Sequence, residues 1–127
     1  MAGDRAVVLF GHGARDPAWA RPMERVRDAL RLQSPELAVE LAFLEFIAPT
    51  LDDAIDVLVA QGARRVVVVP MFIAQGGHLK SDLPKLVDAA RVRHRGCDIV
   101  QALAVGEADV VVAAMAEHAR RCALDDG

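Results

Sequence analysis

Short apolar runs rich in β-branched residues alternate with longer amphipathic stretches along the chain. Residues 6–10 and 66–69 are continuous apolar runs of the kind found in strands that are buried on both faces of a sheet. Residues 37–43 and 98–103 are weaker strand candidates. Since a strand buried on both faces needs a covering layer on each side, this alternation constrains the fold more than any other feature.

Four amphipathic stretches have apolar residues at three- and four-residue spacing, which predicts four helices. These stretches cover residues 17–33, 51–61, about 82–94 and 107–122. Asp16 followed by Pro17 is a typical helix start, because the aspartate can cap and proline needs no N–H partner there. Thr50 and Asp53 resemble a capping box for the second helix, and Gly62 is placed to end it.

The resulting order, βαβαβαβα, predicts an α/β fold with one parallel sheet, right-handed crossovers and helices on both faces. We expect a three-layer sandwich whose four strands have the flavodoxin-like order 2-1-3-4. The chain has 127 residues, 54% of them apolar, which suits one domain over residues 1–127 with its own core.

Charge and cysteine content narrow the function further. The net charge is −3 and basic residues form no stripe, so we expect no nucleic-acid partner. No segment resembles an export signal or a membrane span, so no membrane role is expected. Cys97 and Cys122 show no CxxC spacing and are expected to pack as small apolar residues, which fits a reducing cytoplasm.

Two histidines and one carboxylate follow the predicted strands. His12 lies in the loop after the first strand, Glu45 follows the second, and His78 lies in the loop after the third. In an open parallel sheet, ligands bind beyond the carboxyl ends of the strands, where the strand order reverses. The order 2-1-3-4 would therefore bring His12 and His78 to the same site.

Imidazole nitrogens with a carboxylate suit Co²⁺, Ni²⁺, Fe²⁺ or Zn²⁺, and three protein ligands leave positions open for a substrate. We therefore predict that His12 and His78 bind metal and that all three residues are catalytic. Glu45 is a candidate proton acceptor if it is partly buried, but it can equally point into solvent or pair with a nearby arginine. The alternative is that His12 only caps a helix or hydrogen-bonds within its own loop.

Other residues in these loops are candidate substrate contacts. Arg15 and Lys80 flank the two histidines and can bind carboxylates, although charged residues near helix starts are often simply solvated. Gly76 and Gly77 can let a ligand approach the backbone closely, but no phosphate-loop lysine or hydroxyl accompanies them at the required spacing.

In combination these segments resemble the CbiX/SirB family of sirohydrochlorin chelatases. The resemblance rests on segments 7–17 (VVLFGHGARDP), 41–45 (LAFLE) and 76–84 (GGHLKSDLP) and extends over nearly the whole chain. It implies insertion of a divalent metal into sirohydrochlorin without ATP or an organic cofactor. Co²⁺ is the first expectation, with Fe²⁺ or Ni²⁺ as alternatives.

The resemblance also implies that His12 and His78 are the metal-binding pair and that Glu45 is the acidic site residue. Longer relatives contain two similar halves with the tetrapyrrole between them, so a chain of this length is expected to form a homodimer. The fourth helix, with its apolar segment 110–115, is a candidate for part of the dimer interface. Two features differ from the family pattern: Ala14 replaces the usual serine, and segment 104–109 lacks the usual Gly-x-His-Pro-like sequence.

Three other functions fit parts of the same pattern. A metal or tetrapyrrole carrier would use the same histidines without turnover. A phosphohistidine-type phosphatase would need an arginine immediately before His12, where the chain has Gly11. A purely structural domain would bind no divalent metal.

Overall fold

Residues 4–74 and 76–125, apart from the side chain of His78, are described by a computed structural model. The strands are β1 (Arg5–Gly11), β2 (Ala38–Phe43), β3 (Arg65–Pro70) and β4 (Asp98–Gln101). The α-helices are α1 (Arg21–Gln33), α2 (Leu51–Ala60), α3 (Gly77–Arg93) and α4 (Asp109–Leu124). Two 3-10 helices, Pro17–Ala20 and Val105–Glu107, precede α1 and α4.

The four strands form one parallel sheet in the order β2-β1-β3-β4, which confirms the predicted fold class and strand order. Ala6 in the central strand β1 pairs with Ala38 on one side and with Val66 on the other. The strand order reverses between β1 and β3, so the loops after these strands open at the switch point of the sheet.

The larger part of the core lies between the sheet and helices α2 and α3. Phe10, Ile55 and Leu83 meet there and are fully buried. On the opposite face α1 covers β1 and β2, where Leu9 and Phe43 contribute to a second cluster. Because β1 has buried side chains on both faces, its nearly continuous apolar sequence is explained.

Helix ends follow the predicted capping with some changes. The Asp16 carboxylate accepts a hydrogen bond from the Ala18 N–H (2.9 Å), but the segment from Pro17 begins as a 3-10 helix. Thr50 Oγ1 accepts from the Asp53 N–H (3.2 Å), and Gly62 ends α2 with a φ of +103°. The prediction that α3 begins near Asp82 was wrong, because the helix begins at Gly77 and includes Pro84.

Helix α4 departs most from expectation. None of its residues is buried, and its contacts are mainly with the 3-10 helix immediately before it. The prediction that Cys97 packs as a small apolar residue is confirmed, and burial raises the pKa of its thiol. The same prediction was wrong for Cys122, which is exposed on α4 with its Sγ 3.6 Å from Nε2 of His118. In the described part of the chain, every helix is too short or too polar to cross a membrane.

A cluster of charged side chains connects the outer surfaces of α2 and α3. Arg93 donates hydrogen bonds to Asp52 (3.2 Å) and Asp56 (2.9 Å), and Nε2 of His94 lies 2.6 Å from the Asp56 carboxylate. Hydrogen bonds, first from Arg93 and then from His94, lower the pKa of Asp56. A carboxyl pKa that is lower in the folded state than in the unfolded state stabilises the protein at pH values above the ordinary pKa. This stabilisation is lost as the pH falls through the lowered pKa.

We expect Asp56→Asn to lower the free energy of unfolding at pH 7 by about 0.5–1 kcal/mol, as for exposed ion pairs. The difference from wild type should shrink once the pH falls below 3.8, the ordinary pKa of this carboxyl group. Urea unfolding of the wild type and the variant at pH 7 and pH 3 measures this difference in the free energy of unfolding. Asp88→Asn is the control, since Asp88 bonds Arg91 within α3. An equal loss of stability at both pH values would contradict the expectation.

Candidate active site

His12 and Glu45 meet at the carboxyl edge of the sheet. Each follows a strand, β1 and β2 respectively, and Nε2 of His12 lies 3.2 Å from Oε1 of Glu45. Backbone hydrogen bonds continue beyond the strands, since the Leu44 N–H donates to the Gly11 carbonyl (2.9 Å) and the Glu45 N–H to the His12 carbonyl (3.1 Å). The sheet itself therefore fixes the spacing of the two side chains.

Two glycines let the loops approach each other closely. Gly13 has a φ of +89°, and a Cβ there would lie 1.9 Å from the Glu45 carbonyl oxygen. A Cβ on Gly11 would lie 2.3 Å from the sulfur of Met23 in α1. Packing against backbone thus requires glycine at position 13, where any larger residue would push Glu45 away, whereas at position 11 the flexible end of the Met23 side chain could move.

The His12–Glu45 pair is open to solvent. The His12 side chain is 60% exposed and that of Glu45 is 48% exposed. The condition set for Glu45 as a proton acceptor, partial burial, is not met, because its side chain is exposed and Phe46, which follows it at a φ of +69°, is exposed as well. An imidazole nitrogen and a carboxylate oxygen at this separation can both contact one incoming divalent ion.

Arg15 stays beside this pair. Its guanidinium lies 5.1 Å from the centre of the Phe46 ring, a cation–π contact that holds it one residue from Glu45 along the second loop. The Arg15 side chain is exposed, and its N–H groups remain available to an anionic ligand.

The segment after β3 that was predicted to contribute to the site forms the start of α3. Gly76 precedes the helix, Gly77 and His78 are its first two residues, and the Lys80 N–H donates to the Gly76 carbonyl (3.1 Å). A Cβ on either glycine would meet no atom within 4 Å, so folding does not require glycine there. The side chain of His78 lies outside the described part of the structure, and its meeting with His12 and Glu45 stays a prediction.

An apolar cavity of about 610 Å³ opens beside His12, between β1, the loop after β3 and α1. Trp19, Met23 and Met71 are among its lining residues, and Phe72 and Ile73 complete the side next to β3. Its volume is within the usual range for small-molecule sites, about 300–1,000 Å³. A mostly apolar wall with one imidazole at its rim suits a flat, largely apolar ligand.

Sequence reasoning did not assign the methionines, Ile73 or a cavity. Trp19 is 70% exposed and Ile73 is 72% exposed, whereas large apolar residues of a core are buried. The available signal for Ile73 was its position shortly after the end of β3 at Pro70, at the edge where ligands bind in this architecture.

Among residues 4–74 and 76–125, with His78 excluded, no group of three or more His, Cys, Asp or Glu side chains could hold a metal ion. The described donors are therefore the two of the His12–Glu45 pair. A metal held by two exposed donors keeps most of its coordination positions for other ligands.

Comparison with curated proteins identifies named relatives. The chain is 34% identical over 82 residues to a protein named sirohydrochlorin cobaltochelatase from Methanococcus aeolicus, covering 65% of this chain and 57% of that one. It is 37% identical over 97 residues to a protein of the same name from Saccharolobus solfataricus, covering 73% of this chain and 74% of the relative. The chain therefore spans little more than half the length of the first of these relatives.

Solved structures show the same fold. The CbiX protein of Marinobacter aquaeolei, described as a putative cobalamin biosynthesis protein, matches with a TM-score of 0.80 and 25% identity over 92% of this chain and 95% of that one. The sirohydrochlorin chelatase SirB of Bacillus subtilis subspecies spizizenii, solved in complex with cobalt, matches with a TM-score of 0.77 and 25% identity. That match covers 92% of this chain but 50% of SirB.

The family profile agrees with both comparisons and extends over most of the domain. The CbiX profile matches residues 6–122, from the start of β1 into the last turns of α4. This range includes the GHG loop, Glu45 and the start of α3. Together with the strand order of the sheet and the position of the His12–Glu45 pair at its carboxyl edge, this match shows that the chain belongs to the CbiX family.

Proposed function

We propose that this protein is a sirohydrochlorin chelatase that inserts Co²⁺ into the macrocycle, with Fe²⁺ or Ni²⁺ as further metal substrates. The observation that carries the proposal is the His12–Glu45 pair, 3.2 Å apart and open to solvent at the rim of an apolar cavity. The relatives named cobaltochelatase and the cobalt complex of SirB support the choice of metal.

The reaction exchanges one divalent ion for two protons. As the ion enters the macrocycle, two pyrrole N–H bonds break, four metal–nitrogen bonds form, and two protons must be accepted. His12 supplies one ligand nitrogen and Glu45 one carboxylate oxygen within reach of the same ion, and we assign His78 as the second imidazole ligand; Glu45 and solvent water accept the two protons. The metal is a substrate here, so its ligands must release it, which two exposed donors favour.

The macrocycle would lie against the apolar cavity wall, where Trp19 and Ile73 offer exposed apolar surface. Its peripheral carboxylates need cationic partners, and we assign Arg15 and Lys80 to them, since both are exposed at this edge. The open space above Gly76 and Gly77 leaves the backbone there free to approach the ring. Positioning of metal and ring together supplies much of the expected acceleration.

We further propose that the protein works as a homodimer in the cytoplasm. The 50% coverage of SirB means that one chain of this length supplies about half of that larger fold. Both cysteines are free, and Cys122 is exposed, which suits a reducing compartment.

Anaerobic absorbance spectroscopy of sirohydrochlorin with Co²⁺ or Fe²⁺ tests the proposal. Catalytic amounts of the protein should accelerate the spectral change, and His78→Ala should lower the accelerated rate by about 100-fold, because loss of a ligand misplaces the metal relative to the ring. A thermal melt of the variant checks that its fold is intact. Stoichiometric binding of metal or macrocycle without acceleration would identify a carrier instead, and an unchanged rate in His78→Ala would remove that residue from the site.

A further inference from the structure

Phe46 is an exposed aromatic residue at a strained position beside the candidate active site. Among the described residues it is the one non-glycine residue with a positive φ, +69°. The Ile47 N–H donates to the Glu45 carbonyl (2.8 Å), which closes a three-residue turn around Phe46. A bulky side chain rarely adopts this backbone conformation, and strained residues of this kind cluster at ligand sites. The conformation of Phe46 therefore calls for a functional explanation.

Folding does not account for phenylalanine at this position. Glycine or asparagine would adopt a φ of +69° at lower cost, and Phe46 is 59% exposed, so little apolar surface is buried in return. The backbone of the turn is held by its neighbours, since the Phe43 N–H donates to the Pro49 carbonyl (2.9 Å) and Ile47 packs against the second hydrophobic cluster. The aromatic ring is thus presented to solvent by a backbone that is fixed without it.

The Phe46 ring contacts the guanidinium of Arg15 through its face. The guanidinium carbon lies 5.1 Å from the ring centre, within the range of a cation–π contact. A carboxylate partner would occupy the N–H groups of Arg15, whereas an aromatic face leaves them free around the edge of the guanidinium plane. The ion pairs of the described residues do not include Arg15, and the Glu45 carboxylate pairs with His12 instead. Arg15 is therefore held in place with its donors unused.

The backbone also connects this stacked pair to the His12–Glu45 pair. The Glu45 carbonyl that closes the turn lies against Gly13, where a Cβ would be 1.9 Å from its oxygen. Since Gly13 is two residues before Arg15, the two loops meet next to the stacked pair. A carboxylate bound by Arg15 would therefore lie at the same edge of the sheet as the His12–Glu45 pair.

We infer that Phe46 is a positioning residue for substrate recognition, whose ring orients Arg15 to bind a peripheral carboxylate of the tetrapyrrole through two parallel hydrogen bonds. The inference rests on the proposed function, because it names the part of the site that recognises the anionic edge of that substrate. Phe46 acts on binding and not on the exchange of metal for protons, since its ring has no group that binds a metal or accepts a proton. Loss of the ring should therefore raise KM and leave kcat near the wild-type value.

Binding of the metal-free macrocycle tests this role, with Trp19 as the reporter. Trp19 is the single tryptophan of the chain and lines the cavity, so its fluorescence should be quenched as metal-free sirohydrochlorin binds. Phe46→Leu keeps an apolar side chain without the aromatic face and should raise the Kd about 5-fold, whereas Phe46→Tyr should bind like wild type. In an Arg15→Gln background, which itself binds more weakly, Phe46→Leu should have no further effect. Leu32→Ala, which truncates an 84% exposed leucine of α1, is the matched control, and its Kd should equal that of wild type.

Stability and turnover separate this role from a structural one. Phe46→Asn relieves the strained backbone and should be at least as stable as wild type in a thermal melt, yet bind the macrocycle about 5-fold more weakly. Initial insertion rates of Phe46→Leu should show the increase in KM with kcat unchanged. An unchanged Kd in Phe46→Leu, or an equal further loss in the Arg15→Gln background, would overturn the inference. A wild-type protein that binds the macrocycle without inserting metal would remove the chelatase proposal alone, and one that binds no macrocycle would overturn both.

Discussion

His12→Ala is expected to lower the protein-dependent rate of cobalt insertion by about 100-fold or more, because it removes a ligand that positions the metal and misplacement of a reacting group by about 1 Å can cost 100-fold. The change removes the only side chain that the structure places both at the cavity rim and within 3.2 Å of the Glu45 carboxylate, among the residues it describes. Initial rates from the anaerobic absorbance change measure it. Stability should change little, because the His12 side chain is 60% exposed.

The matched control is His118→Ala, which removes an exposed imidazole from α4 and should leave the rate near wild type. Glu45→Gln keeps the size and shape of the side chain but removes its charge, so it separates the basic oxygen from the packing of the loop. A His12→Ala protein that inserts cobalt at the wild-type rate would exclude the His12–Glu45 pair from the reaction.

Gly13→Ala is expected to be the most damaging small substitution in the loop. Alanine would have to adopt a φ of +89° and place its Cβ 1.9 Å from the Glu45 carbonyl oxygen, so the two loops must separate. The strained backbone alone costs about 1–2 kcal/mol, and the displaced Glu45 backbone adds to it. Insertion activity should fall by about 10-fold or more, because displacement of a reacting group by about 1 Å can cost 100-fold.

Gly62→Ala separates backbone strain from the steric overlap. Gly62 has a φ of +103° but open space around it, so its alanine variant should lose about 1 kcal/mol of stability with no loss of activity. Thermal melts and insertion rates of the two variants make the comparison. Equal stability and equal activity in both would show that the contact between Gly13 and Glu45 does not matter.

The sheet was predictable because the apolar runs that identify its strands are local features of the sequence. The apolar runs of β1 and β3 must be buried on both faces, and this requirement follows directly from residues such as Val8 and Val66. The start of α3 was not predictable in the same way, since Asp82 is a residue type that favours a helix N-cap, whereas the helix begins at Gly77 and continues through Pro84 in its interior. Helix α4 has the amphipathic pattern of a packed helix, yet none of its residues is buried, and periodicity alone does not indicate burial.

The candidate site was partly predictable for a related reason. Strand ends of a parallel sheet meet at one edge, so the proximity of His12 and Glu45 follows from the order of strands. The exposure of Glu45 did not follow from its apolar neighbours Leu44 and Phe46, because Phe46 adopts a positive φ and turns outward. The cation–π contact of Arg15 depends on that turn, and no sequence pattern indicates it.

The position of His12 after β1 has a consequence for how long the site persists. Strand β1 is hydrogen-bonded to β2 on one side and to β3 on the other, so each of its amides in a ladder exchanges with solvent deuterium only when the central pairing that holds it opens. Such amides normally report global unfolding, whereas helix ends and loops open far more often. His12 is attached to the slowest-opening segment of the chain. Local fraying elsewhere should leave the imidazole in place, so the lifetime of the site should equal the lifetime of the folded domain.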